Sequence, residues 1–122
     1  MRAFGELEAA VMNQLWSFGR PVPVREVLEA LRVDRDLAYT TVLTVMDKLY
    51  KKGWLRREPS GRAHVYEPVA SRDAYTARLM RSALSTSPNH AAAFVHFLSE
   101  LTPEESEALR DALRIVPPEH RP

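Results

Sequence analysis

The hydrophobic period of this chain changes from helical to strand-like at Gly53. Before this glycine, apolar residues recur at spacings of three and four, which predicts three short amphipathic helices over about 5–18, 24–32 and 37–52. After it, the period becomes two on both sides of a Pro-Ser-Gly turn, which predicts a β-hairpin over 55–67. A lone hairpin is marginally stable in water, so one of its faces must pack on the helices.

The hairpin offers few apolar residues for that packing. Leu55, Ala63 and Val65 are the expected inward positions. Trp54 and Tyr66 are expected to be packing aromatics, not base-stacking ones.

The last third of the chain predicts three further helices. Ser71 can cap the first, residues 90–99 form the second, and Thr102 followed by Pro103 and Glu105 is a typical start for the third. Three short helices followed by a hairpin are typical of a winged helix-turn-helix. We therefore predict a mainly α fold with a small hairpin wing, in which residues 1–70 bind DNA and residues 71–122 form a helical dimerisation region.

Residues 71–116 are too few to build a core of their own, so their apolar side chains need another surface. A homodimer interface is the simplest solution, and packing back onto the same chain is the alternative. The residues expected at the dimer interface are Leu79, Leu84, Phe94, Phe97, Leu98, Leu109 and Leu113.

The charge of the chain is unevenly distributed. Its 17 basic and 16 acidic residues give a net charge of +1, yet residues 48–64 carry a net charge of +5. A local cluster of this kind suits phosphate binding, and a solvated basic face is the alternative. The residues expected to contact phosphates from the third helix and the wing are Lys48, Lys51, Arg57, Arg62 and His64.

The third helix of a helix-turn-helix enters the major groove with its N-terminal half at the base edges. Once its apolar face is removed, hydroxyl, methyl and aromatic groups remain there, which can contact base edges or thymine methyl groups. The expected groove contacts are Tyr39, Thr40, Thr41, Leu43 and Thr44. The alternative is that the threonines only decorate the helix surface, and Thr41, beside the apolar stripe, is the best candidate for a structural role. Asp47 has the wrong sign for this surface, and it can pair with Lys51 one turn later.

The composition argues against an enzyme and against a metal or cofactor site. There is no Cys, the four His share no metal-ligand spacing, and no nucleophile motif or Gly-rich phosphate loop occurs. No segment predicts a signal peptide or a membrane span, so we expect a cytoplasmic protein without direct membrane insertion. The second hypothesis for its function is a winged-helix adaptor that binds proteins without specific DNA binding.

Three stretches of the chain carry a family resemblance. They are Leu7-Glu8-x-x-Val11-Met12-x-x-Leu15-Trp16, then Leu37-Ala38-Tyr39-Thr40-Thr41-Val42-x-Thr44 continuing to Leu49 and Lys52-Gly53-Trp54-Leu55, and finally Arg62-x-His64-x-Tyr66-x-Pro68. This pattern resembles the penicillinase-repressor (BlaI/MecI/CopY) family. The resemblance implies a homodimeric winged-helix repressor of resistance or stress genes that binds palindromic operators in double-stranded DNA. It also places Tyr39, Thr40, Thr41, Thr44 and Lys48 in the recognition helix and Arg62 in the wing.

The resemblance further implies a mechanism of derepression. In the antibiotic-responsive branch of the family, a membrane metalloprotease sensor triggers cleavage at an Asn–Phe bond in the dimerisation region. This chain has His96-Phe97 at the comparable place, which keeps the Phe and lacks the Asn. The copper-responsive branch senses metal through a C-terminal Cys motif, which a chain without Cys cannot do. The expectation is therefore derepression by proteolysis or by another signal, with His96 and Phe97 as the candidate switch.

Overall fold

The computed structural model describes residues 1–115. This part of the chain contains the helices α1 (Glu6–Phe18), α2 (Val24–Leu31), α3 (Tyr39–Lys51), α4 (Arg72–Ser85), α5 (His90–Ser99) and α6 (Pro103–Ile115), and the strands β1 (Val22–Pro23), β2 (Leu55–Ser60) and β3 (Ala63–Pro68). The predicted fold class is confirmed: the protein is mainly α-helical with a small antiparallel sheet. The predicted region 71–122 includes residues 116–122, which lie outside the described residues.

The first three helices and the inner face of the sheet share one core. Each helix contributes an apolar stripe at i, i+3 or i+4 spacing, as expected for a helix with one buried face. The buried residues are Val11, Met12 and Leu15 from α1, Val24, Val27, Leu28 and Leu31 from α2, Val42, Met46 and Leu49 from α3, and Val22, Leu55 and Tyr66 from the strands.

The end of α3 directs the chain into the wing. Gly53 has a left-handed backbone (φ 86°), which a glycine adopts without steric cost, and its amide donates to the Tyr50 carbonyl over 3.0 Å. The amide of Trp54 then donates to the Leu49 carbonyl over 2.9 Å. These two bonds satisfy two of the last carbonyls of the helix, and β2 starts at the next residue.

The strands lie in the order β1-β3-β2, and both pairings are antiparallel. Tyr66 lies opposite Val22 on one side and opposite Arg57 on the other, so these residues share one face of the sheet. The prediction that Ala63 and Val65 point inward is wrong. Ala63 is exposed, and Val65 is half-buried on the opposite face, where it pairs with Glu58.

An aromatic cluster of Phe4, Trp16, Trp54 and Tyr75 attaches the beginning of α4 to the helix-turn-helix. The Tyr75 ring stacks on Phe4 with the centroids 4.1 Å apart, and its hydroxyl accepts a hydrogen bond from the Phe4 amide over 2.7 Å. The Trp16 indole donates to the Ala70 carbonyl over 2.9 Å. The first compact unit spans Met1–Met80 and so includes this cluster and the beginning of α4.

The second unit begins at Arg81 and contains the end of α4, α5 and α6. The start of α6 is the predicted capping box: the Glu105 amide donates to the Thr102 hydroxyl, and the Thr102 amide donates to the Glu105 carboxylate. The Asn89 side chain caps α5 by accepting from the Ala92 amide over 3.0 Å. Within the described chain, neither α5 nor α6 contains a buried residue.

Candidate nucleic-acid interface

The helices α2 and α3, joined by residues 32–38, form the helix-turn-helix, and the hairpin β2–β3 follows as the wing. Because α3 buries only one stripe, the opposite side of its N-terminal half is free. Thr41 is exposed despite its place beside the apolar stripe, so it contributes nothing to the core. The predicted groove residues are all exposed on this helix: Tyr39, Thr40, Thr41, Leu43 and Thr44.

The Thr44 hydroxyl already donates one hydrogen bond within the helix. Its hydroxyl donates to the Thr40 carbonyl over 2.8 Å, one turn earlier in the helix. This back-bonding fixes the rotamer of Thr44 and leaves its oxygen lone pairs and its methyl group directed away from the backbone. The side chain can therefore accept from a base amino group or touch a thymine methyl group without giving up that bond.

The C-terminal half of α3 is joined to the wing by a charged cluster, which we call the Asp47 cluster: Tyr50, Asp47, Lys51 and Arg57. One carboxylate oxygen of Asp47 lies 2.9 Å from the Lys51 ammonium, and the other lies 3.3 Å from the Arg57 guanidinium. The Arg57 guanidinium also stacks over the Tyr50 ring at 4.0 Å from its centroid. The predicted pairing of Asp47 with Lys51 is therefore present, and Arg57 of β2 joins it.

The electrostatics of the cluster favour its charged forms. The ammonium of Lys51 lowers the pKa of the Asp47 carboxyl, and Arg57 adds to this effect. The pKa of Arg57 is raised, first by the Tyr66 hydroxyl and further by Tyr50 and Asp47. Asp47 is therefore ionised throughout the physiological range.

Two other predicted phosphate-binding cations form no salt bridge among residues 1–115. Lys48 is exposed on α3, and Arg62 is exposed at the wing turn, directly after Gly61. His64 is exposed on the same face of the hairpin as Arg57 and Tyr66, with its ring 6.3 Å from the Tyr66 ring. Lys48, Arg62 and His64 are thus free to meet a polyanion.

The remaining basic residues of segment 48–64 are paired with acids from outside it. Lys52 binds Glu8 at the start of α1 over 2.9 Å, and Arg56 binds Glu67 across the hairpin over 2.8 Å. The lysine also lowers the pKa of Glu8. The net charge of +5 counted along the sequence therefore overstates the free positive charge of this surface.

The residues predicted for dimerisation differ in exposure. In the first unit, Leu79 is half-buried. In the second unit, Leu84 is half-buried, and the others lie exposed on α5 and α6: Phe94, Phe97, Leu98, Leu109 and Leu113. His96 is also exposed, so both sides of the His96–Phe97 bond face solvent within this unit. The second unit thus presents an extensive apolar surface.

Sequence reasoning omitted one residue of the candidate interface. Tyr50 is exposed on α3, and its ring supports the Arg57 guanidinium. Across residues 1–115, no three His, Asp or Glu side chains are grouped so as to hold a metal ion. The helices of this same stretch include none that is long and apolar enough to cross a membrane.

A helix-turn-helix with an exposed second helix and a hairpin wing defines the class of winged-helix proteins. The chain belongs to the penicillinase repressor family, whose model matches residues 4–115. It is 48% identical over 112 residues to the protein named transcriptional regulator BlaI in two strains of Mycobacterium tuberculosis, H37Rv and CDC 1551, with 89% of this chain and 81% of each relative aligned. An uncharacterised 16.5 kDa protein of Latilactobacillus sakei is 37% identical over 59 residues, which is 48% of this chain and 40% of that protein.

This membership confirms the family resemblance read from the sequence. Both Mycobacterium tuberculosis relatives are named transcriptional regulators. The protein is therefore a regulator of transcription and not an enzyme.

Proposed function

We propose that this protein is a homodimeric cytoplasmic repressor that binds palindromic operators in double-stranded DNA through α3 and the wing. The observation that carries the proposal is the outward face of α3. There, hydroxyl and methyl groups cover the N-terminal half, and Lys48 follows, exposed and without a salt bridge in the described chain. This order matches base contacts first and phosphate contacts after them.

The proposed readout uses weak direct contacts and DNA shape. The N-terminal half of α3 carries no Arg or Asn for a bidentate base contact, so Thr40, Thr44 and Leu43 supply hydroxyl and methyl contacts. Arg62 at the wing turn suits a phosphate or a narrow minor groove. Tyr39 and Thr41 flank this surface and complete the groove contacts.

DNA binding is tested by gel shift at low salt with the region upstream of the chain's own gene. A shift that survives excess random-sequence competitor supports the repressor, whereas no shift at low salt would favour the protein-binding adaptor. Lys48→Ala and Arg62→Ala should each lower the slope of log K against log salt by about one and weaken binding to all sequences. An unchanged slope would contradict their phosphate roles.

Base readout is tested separately with Thr44→Ala. This variant removes one hydroxyl and one methyl group from an exposed helix position, so the fold should tolerate it. The expected result is a reduced preference for the operator over random DNA, because only the operator complex uses base edges. Equal loss of affinity on both DNAs would show that Thr44 does not read sequence.

Support for the homodimer comes from the second unit. Its helices bury no residue within the described chain, although Phe94 and Phe97 are about half exposed, at 50% and 48%. An apolar surface of this kind normally marks an interface, and a twofold dimer suits two operator half-sites. Phe97→Glu should give monomers in sedimentation and weaken operator binding, whereas the matched variant His90→Glu on the same helix should stay dimeric. A dimeric Phe97→Glu protein would place the interface elsewhere.

For derepression we propose proteolysis at the His96–Phe97 bond after a signal from a membrane metalloprotease sensor. A protease needs an extended substrate, and α5 is a ten-residue helix with no buried residue within its own chain, so its local unfolding costs little once the two copies of the proposed dimer separate. Cells carrying the sensor should, on exposure to a β-lactam, accumulate a fragment that ends at His96, identified by mass spectrometry. An intact chain during induction would require another signal.

A further inference from the structure

The Asp47 cluster suggests a function for a carboxylate on a surface that is otherwise expected to bind DNA. An acid at this place opposes phosphate binding through its charge, and it costs affinity for every DNA sequence. Asp47 nevertheless contacts two of the predicted phosphate-binding cations at once, Lys51 within α3 and Arg57 from the wing. Both cations are therefore engaged within the protein.

Arg57 is held by more than its charge. Its guanidinium lies 3.3 Å from Asp47 and stacks over the Tyr50 ring at 4.0 Å, and its side chain is 28% exposed. Its strand position, opposite Tyr66, fixes where the side chain leaves the hairpin. Arg56, its neighbour, points to the other face of the hairpin and binds Glu67 there. The cluster thus ties the wing to the C-terminal half of α3 at one place.

We propose that Asp47 is a specificity-determining residue, which competes with DNA phosphates for Lys51 and Arg57 and thereby suppresses binding to non-operator DNA. This inference rests on the proposed function, since it presupposes that α3 and the wing meet DNA. On the operator, base contacts fix α3 in the groove, and Arg57 stays in its place against Tyr50. On random DNA, no base contact contributes, so affinity depends on the number of free cations. Because Asp47 holds two of these cations, it lowers the affinity for random DNA more than the affinity for the operator.

The test uses the full-length protein and the variant Asp47→Asn, which keeps the size of the side chain and removes its charge. Glu58→Gln is the matched control. Glu58 is an exposed wing carboxylate with no ion pair in the described part of the chain, and it lies on the face away from Arg57. Both variants raise the net charge by one, but only Asp47→Asn releases Lys51 and Arg57.

Each protein is titrated against a labelled random-sequence duplex and against the upstream fragment over a range of salt concentrations. Each released cation should steepen the random-DNA slope by about 0.9 and raise affinity up to about eightfold at about 0.1 M salt. Asp47→Asn should therefore steepen the slope by up to about 1.8, and adding Lys51→Gln should remove about half of that gain. Operator affinity should rise less, so that the ratio of operator to random binding falls severalfold. Glu58→Gln should leave the slope unchanged.

The outcomes separate the inference from the function on which it rests. If Asp47→Asn and Glu58→Gln raise the affinity for random DNA equally, the effect comes from net charge alone and the inference is overturned. An unchanged random-DNA slope in Asp47→Asn, while the wild type still shifts the upstream fragment, would overturn the inference alone. If the wild type and Asp47→Asn both fail to bind either DNA at low salt, the proposed function fails with it. Circular dichroism checks that each variant is folded. Asp47→Ala provides a second variant without the carboxylate, since Ala has a high helix propensity.

Discussion

The attachment of α4 to the helix-turn-helix depends on Tyr75, and its removal should be among the most costly substitutions in the first unit. Tyr75 is 9% exposed, stacks on Phe4 at 4.1 Å, and meets the Trp54 ring edge to face at 5.1 Å. Truncation of a buried aromatic residue to Ala costs about 3–5 kcal/mol, in which the lost transfer energy and the new cavity both count. We therefore expect Tyr75→Ala to lower the free energy of unfolding by about 4 kcal/mol.

Tyr75→Phe isolates the hydroxyl from the ring. This variant keeps the stacking and loses only the 2.7 Å hydrogen bond from the Phe4 amide, which leaves a part-buried donor without its partner. The expected cost is about 1 kcal/mol. Thr76→Ala, at an exposed position of the same helix, is the matched control and should change stability by less than about 0.5 kcal/mol.

Urea unfolding followed by tryptophan fluorescence measures all three variants, because Trp16 and Trp54 lie in contact with Tyr75. With a slope of about 1.5 kcal/mol/M, the midpoint should fall by roughly 2.5 M for Tyr75→Ala and by roughly 0.7 M for Tyr75→Phe. Protein concentration must be the same in every titration, since assembly would shift the midpoint. A cost for Tyr75→Ala no larger than that of Thr76→Ala would refute the attachment of α4 by this cluster.

Three further predictions concern single contacts. Gly53→Ala should lower the free energy of unfolding by about 1–2 kcal/mol, because φ is 86° there and no atom lies within 4 Å of the added carbon, so the cost is conformational. Gly5→Ala, at φ −64°, should cost less than about 1 kcal/mol, because Ala only caps α1 less well there. Glu8 has a lowered pKa because of Lys52, so its contribution to stability is present at neutral pH and is lost as the pH falls below about 4.3; the stability difference between wild type and Glu8→Gln should therefore shrink in melts from pH 6 to pH 3. Thr102→Ala should reduce helix content by circular dichroism through loss of a cap worth about 1 kcal/mol, and unchanged ellipticity would contradict that role.

Local signals were sufficient for most of the fold. The three-and-four spacing of apolar residues predicts all six helices, because each helix needs only its own stripe and its own ends. Ser71, Thr102 and Gly53 mark helix ends through bonds that they make within a few residues. The exposed face of α3 followed from the same reasoning, since the residues left after removing the stripe are the exposed ones.

Features that depend on distant partners could not be predicted. The inward face of the hairpin is set by β1, a two-residue strand at Val22–Pro23 that is recognisable only through its pairing with Tyr66 and Val65. Alternation by itself does not tell which face of the hairpin is buried. The prediction placed Ala63 and Val65 on the buried face, whereas Tyr66 lies there. The ring stacking of Phe4 on Tyr75 likewise joins residues 71 positions apart.

The free positive charge of the candidate interface could not be counted from the sequence, because it too depends on distant partners. A count along residues 48–64 treats every cation there as free, but Glu8 and Glu67 reach in from outside that segment to bind Lys52 and Arg56. Asp47, one residue before the segment, contacts two more cations. The positions of the cations are readable from sequence, whereas their availability depends on the fold.

The lack of buried residues in α5 and α6 has a consequence for how the amount of protein sets the response of its target genes. In the homodimer that we propose, these helices gain their packing from a second copy, so their order depends on protein concentration. Dimer formation rises with the square of the monomer concentration at low abundance, so operator occupancy should respond to gene dosage more steeply than in proportion. A modest fall in expression would then switch a promoter on sharply, even without any cleavage of the chain.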